Sequence, residues 1–211
     1  MNLKATALVA GLLMTVLPAS AADYHFEGTI TNHNDVVLIP FSLASDTIPG
    51  EWVQVYTDSY HSGENFDPIT ALWISDGAGG ATLLYQNDDN SSINPATQTY
   101  YDSGFSLNFL AAGDYFFTIA AYNNWALGTT LNLANPASSF SFNAQAGIPI
   151  GSWNQPASGY LTGSNPGFFS VQVTGVTSAT PPVPEPSTLG LLGIGLLVSF
   201  AASRRRKNAK V

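Results

Sequence analysis

Between residues 23 and 174 the chain is cut every few residues by Gly, Pro, Asn and Asp, and the stretches between the cuts are rich in Val, Ile, Tyr, Phe and Thr. Runs of four to eight such residues have the β-branched and aromatic makeup that fits a pleated, half-buried surface. They predict strands over residues 24–30, 36–43, 51–57, 70–75, 82–86, 105–110, 114–122, 129–133 and 168–174. No helix of any length is visible among them, so a parallel sheet with helical crossovers is not expected. Short strands at this spacing, several alternating apolar and polar positions, argue for two packed antiparallel sheets. The fold class is therefore all-β, an antiparallel β-sandwich over residues 22–176. Trp52 and Trp73 fall inside strand patterns and read as core or sheet-face packing. Residues 143–166, dense in Gly, Pro, Ser, Asn and Gln, read as a long surface excursion or an irregular hairpin.

Charge is distributed as unevenly as structure. All six basic side chains lie at the two ends, Lys4 at one and Arg204, Arg205, Arg206, Lys207 and Lys210 at the other, and residues 22–180 contain no Lys or Arg. The same stretch carries 13 of the 14 acidic residues, a formal charge of −13 with His neutral. Phosphate backbones and anionic lipids are held by Lys and Arg, so nucleic acid is excluded as a partner of this domain. Cations are favoured. A surface of one sign also keeps an exported protein soluble, which is the plainer account of the same charge. The chain has no Cys, which removes disulfides, thiolate metal sites and a Cys nucleophile.

Among the acids, one group has a spacing that suggests a site. Asp67 precedes the strand at 70–75, while Asp88 and Asp89 follow its expected hairpin partner at 82–86, so a tight hairpin returns all three to one end. Ca²⁺ takes six to eight oxygens from carboxylates, amide side chains, backbone carbonyls and water, and loops at strand ends can supply them. The competing reading is that Asp67-Pro68 and Asn87-Asp88-Asp89-Asn90 are turn formers whose short side chains bond nearby backbone N–H groups. Asp76-Gly77 reads as turn chemistry. His25, His33 and His61 are irregularly spaced, with no H-E-x-x-H and no G-x-S-x-G, and read as surface residues. No carboxylate pair stands out as catalytic. Trp125 and Trp153, in Asn- and Gly-rich surroundings, are candidates for stacking against a sugar ring.

The two ends look like processing segments. Residues 1–21 have Lys4, an apolar run from Ala5 to Leu17 and a small-residue end at Ala19-Ser20-Ala21, the pattern of a secretory signal. Residues 177–186 are a Pro-rich linker. Residues 187–203 are uncharged and apolar enough for a short membrane span, followed by a basic tail at 204–211 that should stay cytoplasmic.

Val183-Pro184-Glu185-Pro186-Ser187-Thr188, then a Gly- and Leu-rich span, then Arg204-Arg205-Arg206 resembles the PEP-CTERM sorting signal. The resemblance implies a Gram-negative bacterium that makes exopolysaccharide. It also implies anchoring in the inner membrane and processing near Pro184, Glu185 and Pro186 by an exosortase. Asn65-Phe66-Asp67-Pro68-Ile69-Thr70-Ala71-Leu72-Trp73-Ile74 and Leu110-Ala111-Ala112-Gly113-Asp114-Tyr115-Phe116-Phe117-Thr118-Ile119 are similar to bacterial pre-peptidase C-terminal domains. Asp114 stands where Thr is more usual there. That resemblance implies a jelly-roll-like sandwich, in some cases calcium-binding. The function expected is a non-enzymatic surface or matrix module, Ca²⁺-dependent in adhesion or associated with exopolysaccharide and surface glycan. A secreted polysaccharide-active enzyme or its accessory domain is the alternative.

Overall fold

A computed structural model describes residues 21–155 and 159–182 of the chain. The signal segment apart from Ala21, the Pro-Glu-Pro motif, the span at 187–203 and the basic tail lie outside the described residues. Among the described residues the strands are β1 Ala22–Thr29, β2 Val36–Leu43, β3 Val53–Thr57, β4 Pro68–Ser75, β5 Gly80–Asn87, β6 Gly104–Leu107, β7 Gly113–Ala121, β8 Thr130–Asn132, β9 Asn154–Gln155, β10 Gly159–Tyr160, β11 Phe168–Val176 and β12 Ser178–Ala179. They form a four-stranded sheet in the order β1-β11-β3-β6, a six-stranded sheet in the order β12-β2-β7-β4-β5-β8, and the hairpin β9-β10. Every pairing is antiparallel.

The two larger sheets face each other across one core. Val37, Ile39, Phe41 and Leu43 of β2 and Tyr115, Phe117 and Ile119 of β7 meet Val53 and Val55 of β3 and Phe169, Val171 and Val173 of β11. Of the intervening residues, Val36 and Leu38 of β2 and Phe116 and Ala120 of β7 are apolar too, because the six-stranded sheet is covered on its other face as well. There Val36, Leu38, Ala71, Trp73 and Ala120 pack with Leu131 and Phe140 from the segment that follows β7. That second cover explains why β2 reads Val-Val-Leu-Ile-Pro-Phe-Ser-Leu, while β1, with one wet face, alternates half-buried and exposed residues along its length. Trp73, fully buried, donates its indole N–H to Thr118 Oγ1 at 2.9 Å and lies 6.2 Å from the Phe140 ring.

Pairing continues past residue 176 into the segment read as linker. Thr177 N donates to Ser42 O at 2.9 Å and Thr180 N to Pro40 O at 3.0 Å, with Ser178 opposite Ser42 in β12. The prolines begin only at Pro181, so the residues before them still have the N–H groups a ladder needs. N–H and C=O of one residue point to the same side of an antiparallel strand. Since Pro40 O faces β12, its missing N–H faces that short edge strand and not β7. A bulge in β11 sits opposite Ala22 and Tyr24, where Gly175 has φ +73 and a Cβ would lie 2.1 Å from Trp52 O.

Two expectations are corrected here. Trp52 precedes β3 instead of lying within it and is half exposed. His33 is fully buried, not superficial. Its ring stacks on Trp153 at a centroid distance of 4.5 Å and tilts against Phe142 at 4.9 Å. Nδ1 accepts from Ile148 N at 2.9 Å. Ile148 and Trp153 of the expected excursion or hairpin supply this cover; Ile150 and Gln155 are buried, and Asn154–Gln155 pairs with Gly159–Tyr160 as a short hairpin.

Removing the Trp73 side chain leaves a large void between β4 and Phe140. Trp73→Ala should cost about 3–5 kcal/mol, lowering the melting temperature by roughly 10 °C. Leu127→Ala, at an exposed position, should change stability by less than about 0.5 kcal/mol. Thermal melts of the two variants beside the parent check this ordering.

Candidate metal centre

The β4–β5 hairpin sets the site. Thr70 pairs with Asn87, so the residues just before β4 and just after β5 share one end of the sheet. Pro68 opens β4, a strand position where a missing N–H is tolerated. Asp67 ahead of it is held on both sides of its backbone: its N–H donates to Gln155 Oε1 at 2.8 Å and its carbonyl accepts from Tyr122 N at 2.8 Å. The loop after β5 is tied to β6, since Asn87 Nδ2 and Asn90 Nδ2 both donate to Gly104 O, at 3.0 and 3.3 Å. Asn90 N also donates to Asp102 O at 2.9 Å.

The result is that Asp67, Asp88 and Asp89 each present a carboxylate oxygen within 4.8 Å of the other two. Asp67 is 1% exposed. Its Oδ1 and Oδ1 of Asp88 are buried and have no hydrogen-bond partner among the described residues. Burial and the neighbouring carboxylates of Asp88, Asp89 and Asp102 push the Asp67 carboxyl up to about 8. Asp88 rises to about 6, from burial and then Asp89. Burial raises Asp89 as well. With no Lys or Arg in residues 22–180, the acids have two ways to relieve their repulsion, protonation or a bound cation.

Asp102, close by and absent from the sequence argument, shows the contrast. Its Oδ1 accepts from Ser59 N at 2.8 Å, Tyr60 N at 3.0 Å and Thr57 Oγ1 at 3.1 Å, and its Oδ2 from Thr99 N at 2.7 Å. Burial raises its pKa while these bonds oppose the rise. Asp102 is a fully engaged structural carboxylate; the Thr99-x-x-Asp102 spacing, with Thr N–H bonded to Asp, was the one local sign of it. Gln155, which fixes Asp67, comes from 88 residues away and left no local sign.

The chemistry available is that of a hard-cation site. Three carboxylates bring three negative charges and up to six oxygens, which suits Ca²⁺, with the remaining ligands drawn from water or backbone carbonyls. Asp76, by contrast, behaves as a turn residue: Oδ1 accepts from Ala78 N at 2.7 Å and Gly80 N at 3.0 Å, and these bonds lower its pKa. Asp114 is exposed on β7. The two candidate stacking residues are half-buried against other protein groups. Trp153 lies on His33, edge-on to Phe142, and donates Nε1–H to Tyr122 O at 3.0 Å. Trp125 lies edge-on to Tyr122 and donates Nε1–H to Asn123 Oδ1. His25 and His61 are exposed.

Residues 182–206 match the PEP-CTERM protein-sorting motif. The chain is thus an exported protein, anchored in a membrane and processed by an exosortase-type enzyme. No curated protein and no solved structure matches it, so the likeness to pre-peptidase C-terminal domains rests on the segments 65–74 with 87–90 and 110–119 with 122–124.

The raised acids predict a specific pH dependence. A carboxyl whose folded pKa exceeds its unfolded value of about 4 holds a proton that the unfolded chain releases. Stability is then highest at low pH and falls as pH rises through the folded values, about 6 for Asp88 and about 8 for Asp67. In chelator, the melting temperature should fall between pH 5.5 and 8.5. Asp67→Asn should flatten that decline and melt higher than the parent at pH 8.5. A parent profile flat over this range would contradict the burial of these charges.

Proposed function

We propose that the exported domain is a non-enzymatic surface or matrix module whose acidic loop end binds Ca²⁺, and that it serves adhesion or attachment to exopolysaccharide. The observation that carries the calcium reading is the pair of buried, unpartnered oxygens, Asp67 Oδ1 and Asp88 Oδ1, within a triad that no basic side chain can neutralise. Turn-forming acids bond backbone N–H groups, as Asp76 does. These oxygens do not, and a cation is the partner their geometry lacks. Ca²⁺ there would tie the start of β4 to the end of β5, ordering the loops that face the surroundings. The ectodomain is delivered outside the inner membrane by the sorting motif, where Ca²⁺ reaches it from the medium.

The alternative, a polysaccharide-active enzyme, would use the same acids as proton donor and base. A carboxyl of pKa about 8 suits a general acid, but Asp67 is 1% exposed, and a catalytic acid must touch its substrate. This favours the binding module.

A ligand that binds only the folded state stabilises it by about 2.7 kcal/mol at 100 times its Kd. At pH 7.5 the melting temperature should therefore rise with Ca²⁺ and drop with chelator. Mg²⁺ at equal ionic strength should do much less, because it demands a smaller octahedral shell. Asp67→Asn and Asp88→Asn should each remove most of the Ca²⁺ response. Equal shifts with Mg²⁺, or variants that respond like the parent, would reduce the effect to charge screening.

The sorting reading has its own test. Mass spectrometry of the mature protein should find a C-terminus near Pro184, Glu185 and Pro186. A surface product that still ends at Val211 would contradict processing at this motif.

A further inference from the structure

The end of the sandwich away from the acidic triad carries large side chains that the core does not account for. Pro68, next to the triad, is level with Ala121 and with the Val36 end of β2, whereas Leu43 and Gly113 mark the other end. At that other end Ile48 is 59%, Trp52 50% and Phe109 74% exposed. They lie on the loops from β2 to β3 and from β6 to β7, which are joined by Thr47 N to Leu110 O at 2.9 Å and Leu110 N to Thr47 Oγ1 at 2.8 Å. Single exposed apolar residues are ordinary. Here an exposed indole borders a cleft of about 260 Å³ whose lining includes Ser45, Thr47, Glu51, Trp52, Gly175 and Thr177.

The cleft is held from behind. At the bulge Gly175 lies so near the Trp52 carbonyl that an added Cβ would stand 2.1 Å from its oxygen, while Trp52 itself is 50% exposed. Ile48 and Glu51 close a turn on each other, Glu51 N donating to Ile48 O at 2.9 Å and Ile48 N to Glu51 Oε2 at 3.2 Å. Thr177 Oγ1 accepts from Ala44 N at 2.8 Å, which closes the opposite wall. An aromatic ring therefore stands beside hydroxyls and a carboxylate.

We infer that this cleft binds a neutral sugar ring of a polysaccharide, with Trp52 stacking on its C–H face and Glu51 accepting from its hydroxyls. A sugar ring has both parts that the cleft matches, an apolar face and a rim of O–H donors. The ligand is neutral because Glu51 and Asp46 sit in these loops and no Lys or Arg occurs in residues 22–180 to hold an anion. The volume lies just under the roughly 300–1,000 Å³ of sites for drug-sized ligands, which is room for one ring with the rest of the chain running across Phe109 and Ile48. This assignment makes the polysaccharide side of the proposed function specific. It is separable from the calcium side, because the triad lies at the other end.

The test is calorimetric titration of the exported, processed protein with laminaripentaose, cellopentaose and mannopentaose, with trigalacturonate as the anionic comparison. Each titration is run in Ca²⁺ and in chelator, and co-sedimentation with phosphatidylcholine vesicles is measured in parallel. At least one neutral pentaose should bind equally well in both buffers. Trp52→Ala should weaken it about tenfold, Trp52→Phe and Glu51→Gln by less, and Trp125→Ala not at all. The assignment is overturned if no neutral pentaose binds, if Trp52→Ala and Glu51→Gln both bind like the parent, or if trigalacturonate binds as tightly. Vesicle binding that is lost in Trp52→Ala, without glycan binding, would assign the patch to a lipid surface instead. Loss of glycan binding in chelator alone would place the ligand at the triad and overturn the assignment to Trp52.

Discussion

The domain has to hold thirteen carboxylates without a single Lys or Arg, and the structure depends on how it does so. At six of them, Asp23, Asp35, Asp46, Glu51, Asp76 and Asp102, backbone N–H groups take the role of the missing cations. Asp35 Oδ2 accepts from Thr31 N and Asn32 N, at 2.7 and 2.8 Å. Asp46 accepts from Ala112 N at 2.7 Å and Asp23 from Gly175 N at 3.2 Å. Asp102 gathers Thr57, Ser59, Tyr60 and Thr99 around one carboxylate. Asp58 is held by Ser170 Oγ and Gln172 Nε2. Each of these acids pins a loop or joins two strands, so the acidic composition is itself part of what fastens the fold. The triad of Asp67, Asp88 and Asp89 stands apart from this pattern, since two of its oxygens are buried and unmatched among the described residues.

The architecture explains why the triad is assembled even at electrostatic cost. The strands β2, β7 and β4 at the middle of the six-stranded sheet are buried on both faces, so the register of β4 with β7 is fixed by apolar side chains on each side. Once Leu72 and Trp73 are placed in their respective cores, the positions of Asp67 and Asp88 follow from the hairpin. Gln155, at the β9–β10 hairpin, then locks the Asp67 backbone. The opposite end is built from the same two sheets and carries the exposed side chains of Ile48, Trp52 and Phe109 beside the acids Asp46 and Glu51. One fold thus presents two chemically different rims, one with three clustered carboxylates and one that mixes apolar side chains with hydroxyls and separate acids.

Much of this was legible in residue order. All nine expected strands are present to within a few residues, because period and turn residues are local properties. The convergence of Asp67, Asp88 and Asp89 was legible for the same reason: a hairpin with a short turn leaves little freedom. What could not be read depends on distant chain. His33 sits in an Asn-His-Asn turn that looks superficial, and its cover comes from Ile148 and Trp153, more than a hundred residues away. Trp153 looked like an exposed platform in a polar stretch, yet its face is taken by that histidine. Trp52 looked like a strand residue, yet the strand begins one residue later and Trp52 is half exposed beside the bulge at Gly175 of β11. The pairing of Ser178 and Ala179 with β2 was hidden by the prolines that follow them. In each case the deciding contact joins segments that composition and periodicity do not relate.

The central claim is that a divalent cation completes the triad, and diffraction from crystals grown with Ca²⁺ tests it most directly. The account predicts one anomalous difference peak between β4 and the loop after β5, with Asp67 Oδ1 and Asp88 Oδ1 among six to eight oxygens at about 2.3–2.6 Å. An interpretable map at millimolar Ca²⁺ with no peak there, and with Asp67 and Asp88 close enough to share a proton, would show that the acids are relieved by protonation, and the claim would fail.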